Sequence, residues 1–154
     1  MKRILFVCTG NICRSPTADG IARHLAAQLG VADRFEFDSA GTQAYHAGEA
    51  PDRRAQAAAR KRGYDLSGLR ARAVEAEDFE RFDLILAMDR GHYASLKRQC
   101  PPHLQNRLAM FLTWSKSLPD GDLPDPYYGG EEGFEQVLNL CEEVVHALLT
   151  SSPG

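Results

Sequence analysis

Short apolar runs alternate with stretches of helical periodicity along this chain. Residues 2–7 read as a buried strand, and residues 15–29 as a helix with Ile21, Leu25 and Leu29 on one face. Residues 35–40 form a second strand candidate, and the alanine-rich segment 52–61 is helical until Gly63 stops it. The run FDLILAM (82–88) predicts a third strand, followed by a helix to about Arg98 and a break at Pro101-Pro102; NRLAMFL (106–112) predicts a fourth. Residues 131–149 close the pattern as an amphipathic helix, with Phe134, Val137, Leu138, Cys141, Val144, Val145 and Leu148 at helical spacing. Strands alternating with helices predict an α/β domain with a parallel sheet, here one domain across residues 1–154 with a frayed end.

Such sheets bind ligands beyond the carboxyl ends of their strands, where the strand order reverses. The stretch VCTGNICRSPTA leaves the first strand at that kind of place. It contains Gly10 and ends in Arg-Ser-Pro, a helix-start signal with Ser15 as N-cap and Pro16 at the first helical position. Residues Thr9 to Arg14 can curl so that their backbone N–H groups line a nest for a tetrahedral oxyanion, and the following helix adds donors and the positive end of its dipole. Arg14 can offer a bidentate fork to two phosphate oxygens, and Cys8 would lie on the floor, where positive potential favours thiolate over thiol. Asn11 suits the left-handed backbone that a tight loop needs. The competing reading is a buried cysteine with Arg14 ion-paired on its helix. Cys13 is either a small filler or a resolving thiol that traps oxidised Cys8 as a disulfide.

Composition narrows the partners. Apolar residues make up 44% and charged residues 25%, with a net charge of −3, so neither nucleic acid nor an anionic membrane is an expected partner. The clusters Arg53-Arg54, Arg60-Lys61-Arg62 and Arg70/Arg72 read as solvated faces. The apolar run at 4–8 is too short for a signal peptide, and no run approaches the ~20 residues of a membrane span. A cytoplasmic monomer without membrane insertion is expected. Four cysteines, at 8, 13, 100 and 141, are too few for a disulfide scaffold and lack zinc-ligand spacing. Cys141 falls in a core stripe and Cys100 at a helix end, so neither attracts a chemical role. The loop 115–130 is the least regular segment, and loops of that length often carry function.

VCTGNICRSPTA near the start and DPYYGG..GFEQVL near the end, with DSAGT (38–42), PDRRA (51–55) and ARAVEAEDFERFDLILAMD (71–89) between, closely resemble the low-molecular-weight protein tyrosine phosphatases in order over the whole chain. The resemblance implies a four-stranded parallel sheet flanked by helices on both faces. It also implies metal-independent hydrolysis of protein phosphotyrosine and small aryl phosphates through a phosphocysteine, with no cofactor. By position it makes Cys8 the nucleophile and Arg14 the phosphate clamp, within a phosphate-binding loop of Thr9, Gly10, Asn11, Ile12, Cys13, Arg14 and Ser15. Ser15 would donate to the thiolate, and Asn11, backed by Ser39, would brace the loop. Asp125 would be general acid and then general base, a role the chemistry independently wants on the leaving-group side; Asp120 and Asp122 read as turn residues. Ile12, Tyr45, Tyr127 and Tyr128 would wall the substrate cleft, with His46 a further contact candidate. Isoleucine at 12 favours phosphotyrosine, because related protein-arginine phosphatases tend to carry threonine there. Many members have a histidine supporting the loop asparagine where this chain has Leu69, so the brace must be incomplete or rebuilt from elsewhere. The remaining histidines, His92 among them, read as surface or satisfied residues.

Two other functions compete. Some arsenate reductases share the fold and the Cys-x5-Arg-Ser loop, but they need two further, closely spaced cysteines, and Cys100 and Cys141 are far apart. A module that binds phosphorylated partners without hydrolysis is disfavoured by the joint presence of Cys8, Arg14 and Asp125.

Overall fold

The computed structural model describes residues 1–126 and 130–151. Four parallel strands, β1 (Lys2–Cys8), β2 (Phe35–Gly41), β3 (Leu84–Ala87) and β4 (Leu108–Met110), form one sheet in the order β2-β1-β3-β4. Among the described residues five α-helices accompany it: α1 (Arg14–Gln28), α2 (Arg53–Arg60), α3 (Asp78–Arg81), α4 (Arg90–Gln99) and α5 (Glu131–Ser151). Among the described residues no helix is long and apolar enough to cross a membrane.

The alternation of β1 feeds two cores. Ile4, Phe6 and Cys8 face one core with residues of α1 and α5, whereas Leu5 and Val7 face another with Phe79, Phe82 and Leu96. A central strand buried on both faces is why residues 4–8 read as a continuous apolar run. Phe6 anchors the first core, stacked on Phe37 with centroids 6.2 Å apart and edge-on to Phe111 at 5.9 Å.

The predicted stripe on α1 is shifted. Ala18, Ile21, Ala22 and Ala26 are buried, Leu25 is only partly covered, and Leu29 is 45% exposed at the helix end. Small residues let α1 approach its neighbours closely, and a Cβ on Gly20 would sit 2.2 Å from Leu66 Cδ2. The α5 stripe is buried as its spacing predicts. β4 is shorter than predicted, because a 3-10 turn (Phe111–Trp114) takes over directly after Met110.

Register brings the strand ends together. Cys8 pairs with Gly41, and Val7 with Ala87. Beyond them Met88 N–H donates to Val7 O at 3.0 Å, and Leu123 N–H donates to Met88 O at 2.8 Å. β2 lies on one side of β1 and β3 on the other, so the loop after Cys8 opens at the point where strand order reverses.

Phe6→Ala should lower stability by about 3–5 kcal/mol, the usual cost of emptying a large buried aromatic site. Urea unfolding followed by circular dichroism checks this; a loss below ~1 kcal/mol would mean that Phe37 and Phe111 close the space.

Candidate active site

The turn after Cys8 is shaped by Asn11, which has a φ of 59°. Among the described residues it is the only non-glycine residue with positive φ, in agreement with the sequence reading. Its side chain is 2% exposed and tied on three sides. Nδ2 donates to Ser15 Oγ at 2.8 Å and to Ser39 Oγ at 2.9 Å, while Oδ1 accepts from Arg72 N–H at 2.9 Å. Leu69 therefore leaves no gap, because a main-chain donor completes the brace. Arg72, read from sequence as part of a solvated face, is instead half-buried and bound through its guanidinium to Asp38 and Asp78. An Arg72 held by two carboxylates keeps its N–H aimed at Asn11.

Gly41 closes the loop from the β2 side. Thr42 N–H donates to Cys8 O at 2.9 Å and Gln43 N–H to Thr9 O at 3.1 Å. A Cβ on Gly41 would lie 2.6 Å from Thr9 O and 3.2 Å from Asn11 N, both backbone atoms that cannot swing aside. Among the described residues the N–H groups of residues 10–15 donate to no protein acceptor, which is the requirement of an oxyanion nest. α1 begins at Arg14 with Cys13 at its cap position, so Ser15 is not the cap. Its hydroxyl lies 3.0 Å from Cys8 Sγ instead, beneath the loop.

Arg14 is 4% exposed, and its side chain is directed by the far side of the sheet. Nη1 donates to Asp89 Oδ2 at 3.1 Å and to Leu123 O at 2.9 Å; Nη2 lies 3.5 Å from Asp125 Oδ2 and 3.5 Å from His92 Nε2. Asp89 caps α4 through the His92 N–H at 2.9 Å. Burial would raise the Asp89 carboxyl, but that N–H, the His92 ring and Arg14 hold it below the usual carboxylate range. Burial pulls His92 down to about 4, outweighing the pull of Asp89 in the other direction. Burial, with Asp52 as the next cause, pushes the Cys13 thiol well up. Cys13 lines the same cavity as Cys8, the placement a resolving thiol needs, yet its thiolate is scarce.

The cavity over this loop holds about 290 Å³ and is lined by Cys8, Thr9, Gly10, Ile12, Cys13, Arg14, Gln43, Tyr45, His46 and Asp125. Asn11, Ser15 and Ser39 support it from below. Tyr45 stands 84% exposed at the rim, edge-on to His46 with centroids 4.8 Å apart. Tyr127 and Tyr128, the other predicted wall residues, lie outside the described residues.

The sequence profile of the family described as low molecular weight phosphotyrosine protein phosphatase matches residues 3–152. The chain belongs to that family. It is 40% identical to the low molecular weight protein-tyrosine-phosphatase of Streptomyces coelicolor, over 97% of this chain and 92% of that protein. It is 38% identical to the low molecular weight phosphotyrosine protein phosphatase of Gallus gallus, over 97% and 94%. The crystal structure of a protein tyrosine phosphatase from Entamoeba histolytica, with Hepes in its active site, superposes with a TM-score of 0.92 at 35% identity, covering 96% of this chain and 94% of that one.

Three residues around the candidate site escaped the sequence reading: Arg72, Asp89 and His92. The N-cap position of Asp89 before a helix was the available signal, since an Asp-x-x-His start places both side chains on one turn. His92 is 5% exposed, not a surface residue. Asp122 accepts from Arg90 N–H at 3.0 Å and pairs with its guanidinium, in keeping with a turn role.

Gly41→Ala should lower kcat/KM by about 100-fold while leaving the fold intact, because a displacement of loop atoms by about an ångström is costly to oriented chemistry. Steady-state kinetics beside a thermal melt checks it. A second expectation concerns pH. His92 titrates near 6.5 when unfolded and about 4 when folded, so the unfolded chain binds the extra proton between those values. Stability should therefore fall as pH drops from 6.5 toward 4 and level off below, and His92→Gln should flatten that slope in urea titrations at stepped pH.

Proposed function

We propose that this phosphatase hydrolyses phosphotyrosine on proteins, and small aryl phosphates, in two steps through a phosphocysteine and without a metal ion. The observation that carries the reading is the convergence of Cys8, Arg14 and Asp125 on one cavity whose loop N–H groups have no protein acceptor. Relatives named as phosphotyrosine protein phosphatases supply the substrate class.

In the first step the Cys8 thiolate attacks phosphorus, forming the S–P bond while the P–O bond to the tyrosine ring breaks. Asp125, at the cavity wall, gives its proton to the departing phenolate oxygen. Loop N–H groups and the Arg14 guanidinium carry the charge of the equatorial oxygens, the task that a metal ion performs in other phosphoryl-transfer sites. In the second step Asp125, now a carboxylate, takes a proton from water as its oxygen attacks phosphorus, and the S–P bond breaks. Cys8 departs as thiolate, with Ser15 Oγ 3.0 Å away as donor to the developing charge. Ile12, Tyr45, Tyr127 and Tyr128 flank the ring of the substrate in this reading, and His46 beside Tyr45 borders it.

Phosphate release from a phosphotyrosine peptide in excess EDTA tests the proposal. Wild type should turn over, Cys8→Ser should lose all measurable activity, and Asp125→Asn should lose about 10²–10⁴-fold in kcat, the range of a general acid–base. Turnover that persists in Cys8→Ser, or that EDTA abolishes in wild type, would overturn it.

A further inference from the structure

His92 touches both ends of the phosphate loop through a single atom. Its Nε2 lies 2.7 Å from the hydroxyl of Thr9, the residue after the nucleophile, and 3.5 Å from Nη2 of Arg14, the residue that ends the loop. The ring is 5% exposed and does not line the cavity, so it acts from behind.

The neighbours favour one protonation state. A guanidinium nitrogen can only donate, so a hydrogen bond across the 3.5 Å to Arg14 Nη2 needs a lone pair on Nε2. The ring proton then sits on Nδ1, which lies 3.2 Å from Asp89 Oδ1 but is directed too poorly for a proper hydrogen bond. With Nε2 as the acceptor, the Thr9 hydroxyl 2.7 Å away is the donor to the same atom. Burial favours the neutral ring that this arrangement requires.

We propose that His92 is a positioning residue of the phosphate cradle: its neutral imidazole accepts from Thr9 and Arg14 on one lone pair and clasps the two ends of the loop together. The inference rests on the cradle reading above. The other restraints act on one end of the loop at a time: Gln43 N–H on Thr9 O, Asp89 and Leu123 O on Arg14 Nη1, and Asp125 on Arg14 Nη2. His92 alone, among the described residues, bonds side chains of both. Without its lone pair, Thr9 Oγ1–H and one edge of the guanidinium lose a buried acceptor, and the Arg14 fork is free to swing out of register with the loop N–H groups.

The test combines a spectroscopic signature with a rescue. Long-range ¹H–¹⁵N spectra of wild type at pH 7 should show His92 as the Nδ1–H tautomer. Sulfate, a probe of the cradle that no chemistry consumes, is titrated by calorimetry into wild type, His92→Gln and His92→Leu, and kcat/KM is measured on a phosphotyrosine peptide. Glutamine keeps an acceptor oxygen and should stay within about 3-fold of wild type in both. Leucine fills the volume without an acceptor and should lose about 10-fold or more, the scale of leaving buried donors unpaired. Should His92→Leu fail to fold, Thr9→Val takes its place: it removes the donated hydrogen and should weaken sulfate binding about as much in His92→Gln, which keeps an acceptor, as in wild type, and wild-type binding in Thr9→Val would overturn the inference. An Nε2–H tautomer, a folded leucine variant with wild-type sulfate binding, or a glutamine variant as weak as leucine would each overturn the inference. Cys8→Ser separates the two readings: if it is inactive while His92→Leu behaves as wild type, only the clasp fails, and if it stays active the cradle reading fails first.

Discussion

Asn11 is held at a φ of 59° by three hydrogen bonds, two of them buried, and the geometry of the whole site rests on that restraint. A left-handed backbone costs an L-residue roughly 1–2 kcal/mol, less for asparagine, and three bonds at about 1 kcal/mol each outweigh it. The bonds come from three separate segments: the start of α1, the end of β2, and the stretch at Arg72. Because Arg72 is itself clamped between Asp38 and Asp78, the turn is fixed to the sheet and not to a mobile surface chain. A half-satisfied version of this buried network would be worse than an apolar plug, and with Leu69 unable to hydrogen-bond, the Arg72 N–H supplies the donor that Asn11 Oδ1 accepts.

Charge is distributed unevenly around Arg14. Asp89 is fixed as a cap on α4 and directs one nitrogen, while Asp125 is 41% exposed and meets the other at longer range. The same guanidinium is thus anchored by one carboxylate and left reachable by a second that stands nearer to water. That division suits the proposed roles, in which Arg14 is held still and Asp125 exchanges protons.

Much of this was legible in the sequence because it is local. The two-sided burial of β1 shows as an unbroken apolar run, and the α5 stripe shows as helical spacing. The loop after β1 announces itself by Gly10, Asn11 and Arg-Ser-Pro. What stayed hidden depends on contacts across the sheet. Arg72 meets Asn11 from 61 residues away, and His92 meets Thr9 from 83, so neither partner can be inferred from its own neighbourhood. Taken alone, an arginine in a basic segment is solvated and a lone histidine on a helix is unremarkable. Ser15 misled for a related reason: its hydroxyl has the chemistry of a helix cap, and a nearby cysteine sulfur competes for it. Leu29 completes a helical spacing but sits where α1 has already run past its partners.

The acceptor-free N–H groups of residues 10–15 belong to the main chain, and this shapes how the protein can vary. Every amino acid except proline carries the same donor, so side chains such as Ile12 and Cys13 can change while the floor keeps its polarity. An alanine scan trims side chains and leaves these main-chain donors in place. Side chains specific to this chain face the cavity instead from its walls, at Ile12, Gln43, Tyr45 and His46, so the polarity of the floor and the shape of the opening are set by different parts of the polypeptide.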